Sequence, residues 1–287
     1  MEWKGRRGSQ NIEDRRGQPR MAGARAGGIG GVGVIAVLLI GWFLGVDVTP
    51  LLQGAQRGSE IGSSAPVEIT DADRERGQFT AVALQYTEDI WAGVFRDQTD
   101  GAYQPVTLVL FKEATQSDCG VAGAASGPFY CPGDGKIYLD TDFFVTLDKR
   151  LGAGGDFAAA YVVAHEVAHH VQDQLGILGE VNAQRAQASE AESNALSVRI
   201  ELQADCYSGI WARLAESKLG VVQPGDFDEA FNAARQIGDD TLQRSAGQRP
   251  NPDSFTHGTS EQRSRWFQTG YKTGKLTACD TINADRL

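Results

Sequence analysis

The sequence has no excess of positive charge. Its 27 Lys and Arg stand against 37 Asp and Glu, giving a net charge of -10 and a pI near 4.9. A nucleic-acid binder should carry a basic footprint, so that class of partner is excluded. None of its 4 cysteines sits in a CxxC pair, which argues against a structural zinc ribbon or a thioredoxin-like redox centre. No segment repeats at a solenoid period, and after Val46 no run is long and apolar enough to span a membrane. What is present, 41% hydrophobic and 22% charged residues over 287 positions, suits one sizeable folded domain with additions and excludes disorder throughout.

The charge is unevenly spread. Residues 1–27 hold seven basic side chains (Lys4, Arg6, Arg7, Arg15, Arg16, Arg20, Arg25) against three acidic ones (Glu2, Glu13, Asp14). From Gly27 to Val46 the chain reads GGIGGVGVIAVLLIGWFLGV, without a charge and just long enough for one crossing of a bilayer. No small-x-small cleavage site ends the run, so it reads as an uncleaved anchor rather than a signal peptide. By the positive-inside tendency, residues 1–26 form a basic cytoplasmic tail, 27–46 a single transmembrane helix, 47–76 a small-residue tether, and 77–287 an exported domain. That domain then lies on the periplasmic or extracellular side of the plasma (inner) membrane. The even cysteine count fits export as disulfides, and of three possible pairings we favour Cys119 with Cys131 and Cys206 with Cys279.

Within the domain, Phe79 to Phe95 has helical spacing, Gln104 to Phe111 is β-rich, and FYC, PGDG and KIYLD form two short strands around a turn. Phe227 to Ile237 and Ser260 to Phe267 read as packing helices. The pattern predicts an α+β fold, mainly helical, with a small antiparallel sheet. From the N-cap candidate Asp156 to Leu175 the chain is rich in Ala and Val, with no Gly or Pro until Gly176, and predicts a helix.

That helix contains His165, Glu166 and His169 in an HExxH pattern. Histidines four apart lie about 40° apart around a helix, so both can reach one metal while Glu166 addresses a metal-bound water. The chemistry suits Zn2+. A local third histidine is absent, because Gln172 and Leu175 stand where HExxHxxGxxH needs Gly and His. A second helical stretch, Glu190 to Leu219, places Glu201 and Asp205 on one face. Glu201 can complete the ligand set, with His257 as a competing ligand, and Asp205 can accept the outer N–H of a ligand histidine. His170 lies roughly 140° round the helix from His165 and reads as a packing residue.

HEVAHHVQ, followed some thirty residues on by RIELQADCYSGIWA and later by FTHGTSEQRSRWF, resembles the bacterial neutral zinc metallopeptidase family. The N-terminal WKGRRGSQNIEDRRG before an apolar run is similar to that family as well. The resemblance implies a zincin-like metallopeptidase fold, with His165, His169 and Glu201 as zinc ligands and Glu166 as the catalytic residue. Zinc with three protein ligands keeps a position open for water and polarises a scissile carbonyl. Glu166 would serve as general base and then general acid. For the oxyanion, His257 is the first candidate donor and Tyr207 the second, with capping of the helix near Thr259 as the alternative for His257. The KIYLD strand is the expected edge for an extended peptide or protein substrate, by analogy with zincins. A different class of function, a non-catalytic or latent zinc-bearing module that binds envelope proteins or peptides, is expected if a fourth protein ligand closes the site. Oligomeric state is not legible.

Overall fold

The computed structural model describes residues 1–18, 68–123 and 126–287. The apolar run Gly27–Val46 lies outside the described residues, and among those described no helix is long and apolar enough to cross a membrane.

Helix α1 (Asp71–Gln98) begins earlier than its apolar spacing suggested. Thr70 and Asp73 form a reciprocal capping box: the Asp73 N–H donates to Thr70 Oγ1 at 3.1 Å, and the Thr70 N–H donates to the Asp73 carboxylate at 2.9 Å. DADRERG, assigned to the tether, is therefore the first two turns of the helix.

The sheet is mixed rather than antiparallel. Strands β1 (Ile12–Asp14), β2 (Thr107–Phe111), β5 (Phe129–Cys131) and β6 (Lys136–Asp140) run in the order β1-β2-β6-β5. The β1–β2 and β2–β6 pairs are parallel, and only β5 pairs antiparallel with β6. The reason is topological. After β2 the chain makes a separate antiparallel hairpin of β3 (Ala114–Ser117) and β4 (Gly120–Gly123), then β5, and re-enters as β6 in the direction of β2. The PGDG turn reverses β5 into β6, with Gly135 at φ +66° and its N–H bonded to the Cys131 carbonyl. A Cys119–Cys131 disulfide ties the tip of the β3–β4 hairpin to β5.

Two sequence expectations change here. KIYLD is β6, an interior strand, so it offers no free edge; the edge is β5. Residues 1–18 are not a separate tail but part of the domain, because β1 completes the outer edge of β2. A three-residue strand in a charged segment has too little periodicity to be read from sequence.

The remaining helices are α2 (Phe143–Lys149), α3 (Asp156–Gln174), α4 (Ile177–Arg185), α5 (Glu190–Leu214), α6 (Asp226–Gln236), α7 (Asp239–Ser245) and α8 (Ser260–Thr273). Helix α3 is almost wholly buried, and Phe157 on it stacks on Trp211 of α5 with ring centroids 5.2 Å apart. Helices α5 and α8 cross where each presents a glycine. A β-carbon at Gly209 would run into the Phe267 carbonyl, and one at Gly270 into the Cys206 carbonyl. That close approach brings α8 side chains to the back of α3. A Cys206–Cys279 disulfide fastens the C-terminal 3-10 turn (Leu276–Cys279) to α5.

Candidate metal centre and catalytic cleft

Helix α3 follows from its Ala/Val composition, with Asp156 in the first turn favourable to the helix dipole and Gly176, in the left-handed region, just beyond its end. His165 and His169 stand one turn apart with ring centroids 4.9 Å apart. Glu201 from α5 reaches both: its Oε2 is 3.0 Å from His165 Nε2 and its Oε1 3.4 Å from His169 Nε2. The three potential ligand atoms lie within 4.8 Å of one another. Two imidazoles and a carboxylate are a donor set that zinc accepts.

The atoms behind the histidines bear on whether a metal fits. Gln172 is fully buried, and its amide nitrogen donates to the Ile200 carbonyl at 2.8 Å and to Gln203 Oε1 at 3.0 Å. With both N–H groups committed, the amide oxygen must face His169 Nδ1, 2.8 Å away. His169 therefore donates from Nδ1 and presents the Nε2 lone pair to the ligand site. Gln203 in turn donates to the Cys279 carbonyl at 3.0 Å, so the disulfide-anchored C-terminal turn supports a candidate ligand. Gln172→Ala is expected to weaken zinc binding by about 10–100-fold, the usual cost of losing such an outer partner. Competition with a chelator measures it, and unchanged affinity would remove Gln172 from this role.

His165 is backed differently. Its Nδ1 lies 3.1 Å from Asp205 Oδ1, close enough for an ion pair but not aligned as a hydrogen bond. Asp205, fully buried on α5, is held by Arg263 of α8 through two bonds, Nε to Oδ2 at 2.8 Å and Nη2 to Oδ1 at 2.9 Å. The buried Tyr161 hydroxyl, one turn before His165, donates to the same Asp205 oxygen. Burial alone would lower the His165 pKa, but Asp205 and Glu201 outweigh it and push it up to about 10. A metal taken up here has to displace that proton.

A cavity of about 440 Å³ opens over the triad. Phe129 and Tyr130 of the edge strand β5 line it, with Val162 and Glu166 of α3 and His257 beyond α7. Glu166 is 7% exposed. Burial raises its pKa, against the opposing pull of His169 and His165 and, more weakly, of the nearby Tyr130 backbone N–H. Glu166 lies outside the group of potential ligands, with its carboxyl in the wall beside them.

His257 is built in by Asp239 at the start of α7. The Asp239 Oδ2 atom accepts the backbone N–H groups of Thr256, His257 and Gly258 at 2.8, 2.7 and 3.0 Å, and Oδ1 is 3.2 Å from His257 Nδ1. The half-exposed His257 ring is partly desolvated, which lowers its pKa, yet Glu201 and Asp239 together raise it. Its role is not helix capping, since Thr259 and Gln262 form the capping box of α8. Tyr207 packs against Trp91 and does not line the cavity. His170 packs between Tyr103 and Tyr130 and donates from Nε2 to the Gln104 carbonyl at 2.8 Å.

The structure thus brings His165, Glu166, His169, Glu201, Asp205 and His257 to one place, and leaves Tyr207 out. Sequence reading missed Gln172, Tyr161, Arg263 and Asp239. The available signal was a polar or charged residue at the apolar phase of a buried helix, which holds for Gln172 and Arg263. Asp239 carried no such signal.

The chain is similar to an uncharacterized protein, YpfJ, of Escherichia coli strain K12, 44% identical over 288 residues that cover 98% of this chain and 99% of that one. It is also similar to the uncharacterized proteins Rv2575 of Mycobacterium tuberculosis and Mb2605 of Mycobacterium bovis, each 40% identical over 225 residues, with 75% of this chain and 74% of theirs covered. No solved structure matches it at a significant level. A family model described as "putative neutral zinc metallopeptidase" matches residues 1–282, and the chain belongs to that family.

Proposed function

We propose that the chain is a zinc endopeptidase of zincin-like design that hydrolyses peptide bonds in extended polypeptide. The observation that carries this is a buried carboxyl, Glu166, beside a three-donor set in an open cleft. A purely structural site has no use for such a group. Among the described residues no fourth protein donor closes the set: all 4 cysteines are in disulfides, and His257 lies outside the triad. This weighs against the binding-module alternative.

Zinc held by His165, His169 and Glu201 would acidify a bound water and polarise the scissile carbonyl. Glu166 accepts the proton of the attacking water and returns it to the leaving amine; burial tunes its pKa upward for that exchange. His257, held by Asp239, donates to the developing oxyanion. Edge strand β5 offers backbone groups to an extended substrate, and its Tyr130 lines the same cleft as Glu166. Two disulfides suit an oxidising compartment, which supports the reading of a cleft outside the plasma or inner membrane.

The test is digestion of an unfolded protein by the purified chain. One zinc per chain, with cleavage lost on chelation and restored by zinc, supports the proposal; full zinc occupancy with no cleavage of any unfolded substrate overturns it. His257→Ala should lower kcat by about 10²–10³-fold, as for loss of one oxyanion donor. Zinc content should not change, and loss of zinc instead would make His257 a ligand.

A further inference from the structure

The sequence reading places residues 1–26 and the domain on opposite sides of a membrane, and the packing of residues 1–18 against the domain argues against it. Strand β1 is hydrogen-bonded along β2, with Ile12, Glu13 and Asp14 opposite Leu108, Val109 and Leu110, three residues that are essentially fully buried. The contacts run the length of the segment. The Glu2 N–H donates to the Val221 carbonyl at 2.8 Å, Tyr86 Oη donates to the Glu2 carbonyl at 2.7 Å, and the Ser9 N–H donates to the Ala81 carbonyl at 2.9 Å. Asn11 donates to Glu88 at 2.8 Å. Arg16, 7% exposed, pairs with Asp14 and donates to the Asp73 carbonyl, and its guanidinium fills the space over Gly77 that a β-carbon would need. Trp3 meets Phe79 edge to face at 5.4 Å.

Such a segment cannot be separated from the domain by a bilayer. Removing it would leave the β2 edge unpaired and take one donor from the Asp73 carbonyl and two from the Glu88 carboxylate. The segment also ends where the domain resumes, since Gly17 abuts Ile69. The described chain leaves and returns at the β1 edge of the same sheet whose β5 edge lines the cleft.

We propose that residues 1–18 share the compartment of the cleft. The basic N-terminal segment is then not a tail held across the membrane from the cleft. This inference does not depend on the peptidase proposal.

The experiment is cysteine labelling of the full-length chain in intact cells with a membrane-impermeant maleimide. Arg7→Cys and, as a second reporter, Lys4→Cys probe the N-terminal segment, and Lys149→Cys probes the domain; all three side chains are about three-quarters exposed. The native cysteines are in disulfides and do not react. Labelling after lysis establishes that each reporter is reactive. Expected is the same result for both regions, all labelled or all protected until the membrane is opened. Label on Lys149→Cys with protection of both N-terminal reporters, or the reverse, overturns the inference.

Discussion

Replacing Glu166 with Gln should abolish measurable peptide cleavage while leaving zinc in place. A positioned acid–base group contributes about 10²–10⁴-fold, and Glu166 is proposed to act twice, on the attacking water and on the leaving amine. Gln keeps the size and shape of the side chain, so the cleft wall that Glu166 forms beside the donor set is preserved. It cannot take a proton. Stability should not fall, because the substitution removes a buried ionisable group whose desolvation already raises its pKa. The decisive comparison is therefore three measurements on one variant: cleavage rate, zinc content and melting temperature. Retained cleavage would exclude Glu166 as the base. Loss of zinc along with cleavage would mean that Glu166 supports the metal rather than the reaction.

The helices that carry the candidate site were legible because their cause is local. Ala and Val over a long run without Gly or Pro make α3 a helix, and four-residue spacing puts His165 with His169, and Glu201 with Asp205, on shared faces. The supporting partners were not legible, because periodicity reports which face a residue occupies and not what crosses to meet it. Gln172 entered the sequence reading only as a residue that is neither Gly nor His, yet its amide orients His169. Arg263 sits in a helix read for its Trp and Phe, and it reaches Asp205 only because Gly209 and Gly270 let two helices touch. The edge strand was assigned to KIYLD because alternation marks a strand without marking its neighbours; the pairing of β6 with both β2 and β5 is a long-range fact. The N-terminal strand was hidden for the converse reason. A basic segment before an apolar run fits the positive-inside pattern so well that its three-residue pairing with β2 left no separate trace.

Arg263→Met should produce the largest loss of stability of any single substitution behind the site. Asp205 and Arg263 are 0% and 2% exposed and joined by two hydrogen bonds, so removing the guanidinium strands a carboxylate in the interior. Breaking a buried pair from one side costs about 3–5 kcal/mol. At roughly 2–4 °C per kcal/mol for a chain of somewhat smaller size, the melting temperature should fall by about 10 °C. Among the described residues Tyr161 and His165 are the partners left to that carboxylate, and once His165 gives up its proton to a metal neither supplies the Coulomb attraction of a fixed cation. The double variant Asp205→Asn with Arg263→Met discriminates this cause from a packing defect. If the stranded charge is responsible, neutralising it recovers part of the loss, and the two changes are strongly non-additive, as residues in one network should be. If Arg263 merely fills space, the double variant is at least as unstable as the single one. Zinc affinity separates the roles further: Asp205→Asn should weaken it by removing the carboxylate behind His165, whereas Arg263→Met, which leaves that carboxylate facing Nδ1, should weaken it less.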